Sequence, residues 1–197
     1  VVDANLDFEA GFEGWQRDTY FGQWRPSAPE DASIEEGNGK RVLRLSLNER
    51  GNVRVSRSVT VEPGGRYVLR ASVKTESIQT SGGGAYIEVY GIDEHGAWTE
   101  NLGRANAQRT QDTDWTMIEA PFTAGGGQSF RPGAVFKEDD PGQLSGGYEQ
   151  VCVILRLEDA TGTAWFADVE IEPAPSPNPL ANAIVTEAAK AAVENAD

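Results

Sequence analysis

Up to residue 172 the chain alternates apolar and polar residues in short bursts, separated by turns such as Gly82-Gly83-Gly84, Gly125-Gly126-Gly127 and Gly146-Gly147. A period of two marks a strand with one buried face. Strands are predicted over 5–9, 41–47, 52–61, 66–75, 85–92, 115–123, 133–137, 150–158 and 164–172, and no part of this region keeps a helical period. The spacing predicts an all-β fold over 1–172, an antiparallel jelly-roll β-sandwich. The Pro-rich stretch 173–178 (PAPSPN) cannot continue a central strand and reads as a linker. Over 179–197 a short C-terminal helix is predicted, with Asn178 as its cap, Pro179 at its first position and Leu180, Ile184, Ala188 and Ala192 at helical spacing. So short a stripe does not fold alone; it docks on the sandwich or begins a following domain.

Parity gives each strand an inner and an outer set. Tyr67, Leu69, Ala71 and Val73, then Ile87 and Val89, then Val153, Leu155 and Leu157 are assigned to the core. The opposite parity collects Arg70, Ser72 and Lys74, then Tyr86, Glu88 and Tyr90, then Cys152, Ile154, Arg156 and Glu158, and predicts one outer surface rich in tyrosine and charge.

A chain of 197 residues suffices for one sandwich and a short extension. Its 17 Lys and Arg against 31 Asp and Glu give a formal charge of −14, which repels a phosphate backbone and argues against nucleic acid as partner. Apolar residues make up only 39%, yet five Trp, five Tyr and seven Phe supply large pieces of core, so the chain reads as folded rather than as a disordered acidic segment. A lone cysteine, Cys152, excludes an internal disulfide and reads as a small packed residue, and a lone histidine, His95, excludes multi-His metal sites. No apolar run approaches the ~18 residues of a membrane span. The opening Val1-Val2-Asp3 has neither initiator Met nor signal pattern and reads as that of a processed or excised piece.

The segment Asn5-Leu6-Asp7-Phe8-Glu9, with Gly11 and Gly14-Trp15, resembles the N-x-x-F-E-x-G…G-W opening of carbohydrate-binding modules with a galactose-binding-like jelly roll, the type attached to xylanases and glucanases. Pro63-Gly64-Gly65-Arg66-Tyr67-Val68-Leu69 is similar to their P-G-x-x-Y-x-L strand start. Asp114-Trp115 leading to Phe122-Thr123-Ala124 resembles their W…F-T-A strand, and Trp165-Phe166-Ala167-Asp168-Val169 their closing F-x-D-V strand. The motifs run in the family's order over residues 3–172, while the loop content between 92 and 150 matches nothing in its pattern. The resemblance implies a non-catalytic polysaccharide-binding module of a secreted enzyme, a monomer tethering an attached catalytic domain to its substrate. It also implies structural calcium held by Glu9 and Asp168, with the loop Glu36–Lys40 supplying Glu36, Asn38 and the Lys40 carbonyl; hard oxygen donors suit that ion.

Sugar rings stack their C–H faces on aromatic rings and offer hydroxyls to planar polar groups. Tyr86 and Tyr90 with Glu88, Arg70, Lys74 and Arg156 form the predicted binding face, and the arginines suit either pairing with Glu88 and Glu158 or the carboxylates of acidic sugars. Trp98, in the polar loop Gly91–Leu102, and Trp24 with Tyr20 read as loop aromatics with a binding task or as plugs over the core; Trp15, Trp115 and Trp165 read as core. Two other readings stand beside this one: a polysaccharide hydrolase or lyase using loop carboxylates or His95 with Tyr90, and a ligand-free sandwich packed against a neighbouring domain.

Overall fold

The computed structural model describes residues 6–37, 39–107, 112–125 and 147–174. The predicted strand over 133–137 and the predicted helix over 179–197 lie outside these residues. The strands are β1 (Gln16–Tyr20), β2 (Trp24–Pro26), β3 (Ala32–Gly37), β4 (Lys40–Thr60), β5 (Arg66–Ile92), β6 (Trp98–Asn106), β7 (Thr113–Thr123) and β8 (Gln150–Pro173). All the pairings are antiparallel, and no helix occurs among the described residues.

Three strands are much longer than predicted, because β4, β5 and β8 each absorb two predicted strands and the turn between them. Their registers shift at Leu47/Gly51/Val53, at Glu76/Gln79 and at Thr80/Gly84, dividing the pairing network into halves. One half is five strands across: β3, the start of β4, the end of β8, the start of β5, and β7. The other is six across: β2, β1, the end of β4, the start of β8, the end of β5, and β6. Leu43, Leu45, Leu69, Val73 and Phe166 from the first half join Val53, Val55, Ile87, Val89, Val153 and Leu155 from the second in one fully buried cluster. The two sheets are therefore the layers of a sandwich. Burying each such Leu, Ile or Phe contributes about 1.5–3 kcal/mol.

The corners where the long strands pass between layers are tied together. Arg50 of β4 donates from Nε and Nη2 to the two carboxylate oxygens of Asp159 on β8 at 2.6 and 2.7 Å, and the Ser81 hydroxyl of β5 donates to Asp159 Oδ2 at 2.9 Å. These contacts hold the Asp159 carboxyl below its ordinary pKa; its backbone lies in the left-handed region at φ 47°, with its N–H donating to Asn52 and its carbonyl accepting from Thr80. The clasp thus joins one residue from each long strand.

The opening segment differs from the predicted strand at 5–9. Its described part is a run of turns in which Phe8 adopts φ 63°, fully buried and stacked 5.0 Å from Trp15. The opening motif is thus a hydrophobic plug. Trp15 is core at 7% exposure, but Trp115 and Trp165 are half-buried, because their strands turn them outward from the five-stranded layer.

Gly162 sits at the β8 corner with φ +106°, where an added Cβ would lie 2.5 Å from the Ser77 carbonyl oxygen. Gly162→Ala is expected to cost about 1–3 kcal/mol in denaturant unfolding. Gly82→Ala, where a Cβ meets nothing within 4 Å, should stay within about 0.5 kcal/mol of wild type.

Candidate functional site

Cross-strand register builds the outer face of the six-stranded layer row by row. Asp18, Arg54, Arg156, Tyr86 and Asn106 stand side by side on β1, β4, β8, β5 and β6. The next row is Gln16, Ser56, Ile154, Glu88 and Arg104. The parity reading therefore brings Tyr86, Glu88, Tyr90 and Arg156 together correctly. Arg70 and Lys74 stand elsewhere. They point outward from the five-stranded layer, on the opposite side of the sandwich, because β5 changes layers between them and Tyr86. Arg70 is paired there with Glu119 at 2.7 Å and with Glu172, and Lys74 lies over the Trp165 ring at 5.3 Å.

The predicted outer surface is also not open. Tyr86 and Glu88 are 1% exposed, Cys152 is 2% and Ile154 is fully buried. Above them lies a layer that parity could not reveal. Trp24 comes from β2 at one edge of the sheet and Trp98 from β6 at the other. The Arg54 guanidinium carbon lies 4.0 Å from the Trp24 ring centroid and 4.5 Å from that of Trp98. Tyr20 flanks Trp24 at 5.3 Å and Tyr90 flanks Trp98 at 5.8 Å. Arg104 lies 3.6 Å over the Tyr86 ring. In a flat sheet the strands carrying the two tryptophans would be about 24 Å apart, five spacings of ~4.8 Å. Both indoles reaching one guanidinium means the sheet curls over this face. Trp24 and Trp98 themselves keep 42% and 36% exposure.

Beneath the aromatic layer the polar groups pair with one another, apart from the buried Arg156 Nε, which has no hydrogen-bond partner among the described residues. Arg156 donates from Nη1 to Glu88 at 3.3 Å and pairs through Nη2 with Glu158 at 2.6 Å. Asn101 donates to the other Glu88 oxygen at 3.1 Å, and the Tyr86 hydroxyl donates to Glu158. Burial pushes the Glu88 carboxyl above its ordinary range against the opposing pull of Arg156, and burial likewise raises Tyr86. The Cys152 thiol is pushed up to about 12 by burial and is a packed, unreactive group, as its strand position suggested. Arg54 and Arg104 were absent from the sequence reading. Arg54 lies on the outward parity of 52–61, and its neighbours at the sheet edges are invisible without the strand order.

Of the expected calcium ligands, the Asp168 and Glu36 carboxylates are each engaged by a cation, as is the backbone carbonyl of Glu9. Lys40 Nζ pairs with Asp168 at 2.5 Å, and Arg41 donates to the Glu9 carbonyl at 3.0 Å and to Glu36 at 3.4 Å; Asn38 lies outside the described residues. Among the described residues no three acidic, His or Cys side chains gather to hold an ion. Calcium requires six to eight oxygens, and to contribute to such a shell Asp168 and Glu36 would have to exchange the Lys40 ammonium and the Arg41 guanidinium for the ion. For the lyase reading, His95 is exposed in a turn, and among the described residues its ring pairs with Glu94 at 3.7 Å.

Three outcomes follow. Arg156→Met leaves Glu88 and Glu158 without their shared cation and is expected to cost about 3–5 kcal/mol of stability by denaturant unfolding. Glu88→Gln should remove a pH-dependent component of stability. A raised folded pKa stabilises fully below the unfolded value and is lost as pH rises through the folded one, so wild type should lose stability relative to Glu88→Gln as pH climbs from the ordinary carboxylate range. Thermal unfolding should show no calcium-dependent rise over chelator in wild type; a rise abolished in Asp168→Asn would contradict the ion-pair account of this edge.

No protein-family profile matches the sequence, and no curated protein matches it. Solved structures do resemble it in fold. The enzymatically active domain of tailspike protein 4 from bacteriophage CBA120 aligns with TM-score 0.55 at 8% identity over 87% of this chain, which spans 21% of that one. A family 61 carbohydrate-binding module in complex with β-1,4-galactotriose aligns with TM-score 0.50 at 15% identity, over 87% of this chain and 97% of the other. The Clostridium thermocellum xylanase 10B modules CBM22-1 and GH10, complexed with xylohexaose, align with TM-score 0.50 at 18% identity, over 90% of this chain and 29% of that one. The chain has the antiparallel jelly-roll sandwich fold that carbohydrate-binding modules share.

Proposed function

We propose that this chain is a non-catalytic polysaccharide-binding module that stacks sugar rings on Trp24 and Trp98. One observation carries the reading. Two large, half-exposed indoles from opposite edges of a sheet converge on the same outer face. Exposed tryptophan is costly in water unless it meets a partner, and a pyranose C–H face is such a partner. Tyr20 and Tyr90 extend the aromatic strip at either end.

The charge on this face favours a neutral glycan. Arg54 pairs with Asp18 at 3.3 Å, Arg104 with Glu158 at 3.7 Å, and Arg156 with both Glu88 and Glu158. Each cation is thus matched by a carboxylate, in a chain of net charge −14. Among the described residues of this face, a uronate polymer would find these cations already paired, and it would meet an opposing long-range field. The fold relatives bound to galactotriose and xylohexaose support the same direction. Tyr86, Glu88 and Arg156 act in this reading as the support beneath the aromatic strip rather than as sugar contacts. In a larger extracellular enzyme the module would raise the effective concentration of polymer at an attached catalytic domain.

Affinity electrophoresis against neutral and acidic polysaccharides tests the proposal. Retardation is expected in at least one neutral polymer, weakened about tenfold or more in Trp24→Ala and in Trp98→Ala. Arg70→Ala and Lys74→Ala, on the opposite face, should leave it unchanged. Retardation by uronate polymers alone, or by no polymer, contradicts the proposal.

A further inference from the structure

We infer that Arg54 is a positioning residue that locks Trp24 and Trp98 into a single binding platform; the inference rests on the aromatic strip being the sugar-binding surface. Neither indole is anchored by its own element. Trp24 belongs to a three-residue edge strand whose residues are all exposed, and Trp98 is the first residue of β6 after an exposed turn. Among the described residues, neither joins the buried core clusters, and the ring contacts of each are one tyrosine at more than 5 Å and the cations of the face. Two such tryptophans, projecting from opposite sheet edges, would sample many rotamers independently, and each sugar ring bound would bear the entropy of fixing them.

Arg54 supplies what the edges lack. It lies on β4, hydrogen-bonded into the sheet between β1 and β8, and its side chain is only 19% exposed. Asp18 accepts from its Nε at 3.4 Å and its Nη2 at 3.3 Å, which fixes the plane of the guanidinium. A planar, delocalised cation can attract two ring systems at once, whereas an ammonium is a compact, strongly hydrated point charge. With its fork turned to Asp18 and both indoles within 4.5 Å, the guanidinium holds the aromatic groups rather than offering itself to ligand. Pre-organisation of this kind appears as affinity although Arg54 makes no sugar contact.

The experiment reads the platform both with and without ligand. Two indoles held close together give an exciton couplet in the circular dichroism of the free protein, assigned by its loss in Trp24→Phe. Arg54→Ala and Arg54→Met, the second keeping the volume of the stem, should both lose the couplet while unfolding cooperatively. Both should bind the neutral polymer that retards wild type about tenfold more weakly, with Arg54→Lys recovering part of the loss. An undiminished couplet in both variants overturns the inference, as does unchanged or tighter glycan binding, the latter showing that Arg54 blocks the strip. If Trp24→Ala and Trp98→Ala retain full glycan affinity, the surface assignment fails instead, while loss of the couplet in the Arg54 variants would still establish the lock.

Discussion

The passage of β4, β5 and β8 from one layer to the other is the constraint on which the rest of the molecule depends. Each strand is covalently shared by both sheets, so neither sheet can shift without the other, and the corners must be held at fixed angles. Asp159 does this by accepting from Arg50 and Ser81, drawing the three strands together at one point. A bidentate guanidinium–carboxylate contact is directional, so it sets an angle as well as a distance. Because the turns are made inside continuous strands, the ends of β4 and β5 and the start of β8 lie in the six-stranded layer and carry Arg54, Tyr86, Glu88 and Arg156 side by side.

The curl of that layer creates a second, smaller interior on what would ordinarily be a solvated sheet face. Ile154, Cys152 and Ile92 form an apolar cluster there with Tyr90 against it, and Glu88 is buried with Arg156 beside them. A buried carboxylate tolerates this only because its oxygens accept from Arg156 and Asn101. The result is a face with a rigid, charge-balanced floor and an aromatic upper layer. The floor resists deformation, the upper layer meets solvent, and Arg54 belongs to both through Asp18 and the two indoles. In the proposed function this division of labour suits recognition by stacking, with the Asp18, Glu88 and Glu158 carboxylates of the face each paired with an arginine.

Much of the fold was legible in the alternation. Tyr67, Leu69, Ala71, Val73, Ile87, Val89, Val153, Leu155 and Leu157 are all buried as parity placed them, and the jelly-roll sandwich is the one predicted. The errors have physical causes. Gly82-Gly83-Gly84 was read as a turn, yet it is a register shift within β5, where Gly83 packs against the Glu158 backbone so closely that a Cβ would lie 2.0 Å from its carbonyl oxygen. Strands β1, β2, β3 and β6 (QRDTY, WRP, ASIEEG, WTENLGRAN) were missed because they are short or polar and carry little periodic signal, and β2, β3 and β6 lie at sheet edges. The site was half legible. Parity found the residues of one face but could not know that β5 changes layers after Thr75, so Arg70 and Lys74 were joined to a surface they do not share. Arg54 escaped because its importance lies in Trp24 and Trp98, 30 and 44 positions away along the chain, which the strand order alone brings to it.

The central claim, that sugar meets the protein at Trp24 and Trp98, is tested most directly by the five indole N–H signals of the chain in a nitrogen–proton correlation spectrum during titration with a neutral oligosaccharide. Assigned by single Trp→Phe variants, the Trp24 and Trp98 signals should move together along one saturable curve, while Trp15, in the core, and Trp115 and Trp165, on the opposite layer, stay in place. Movement confined to Trp115 or Trp165 would put the binding surface on the other side of the sandwich and contradict the account.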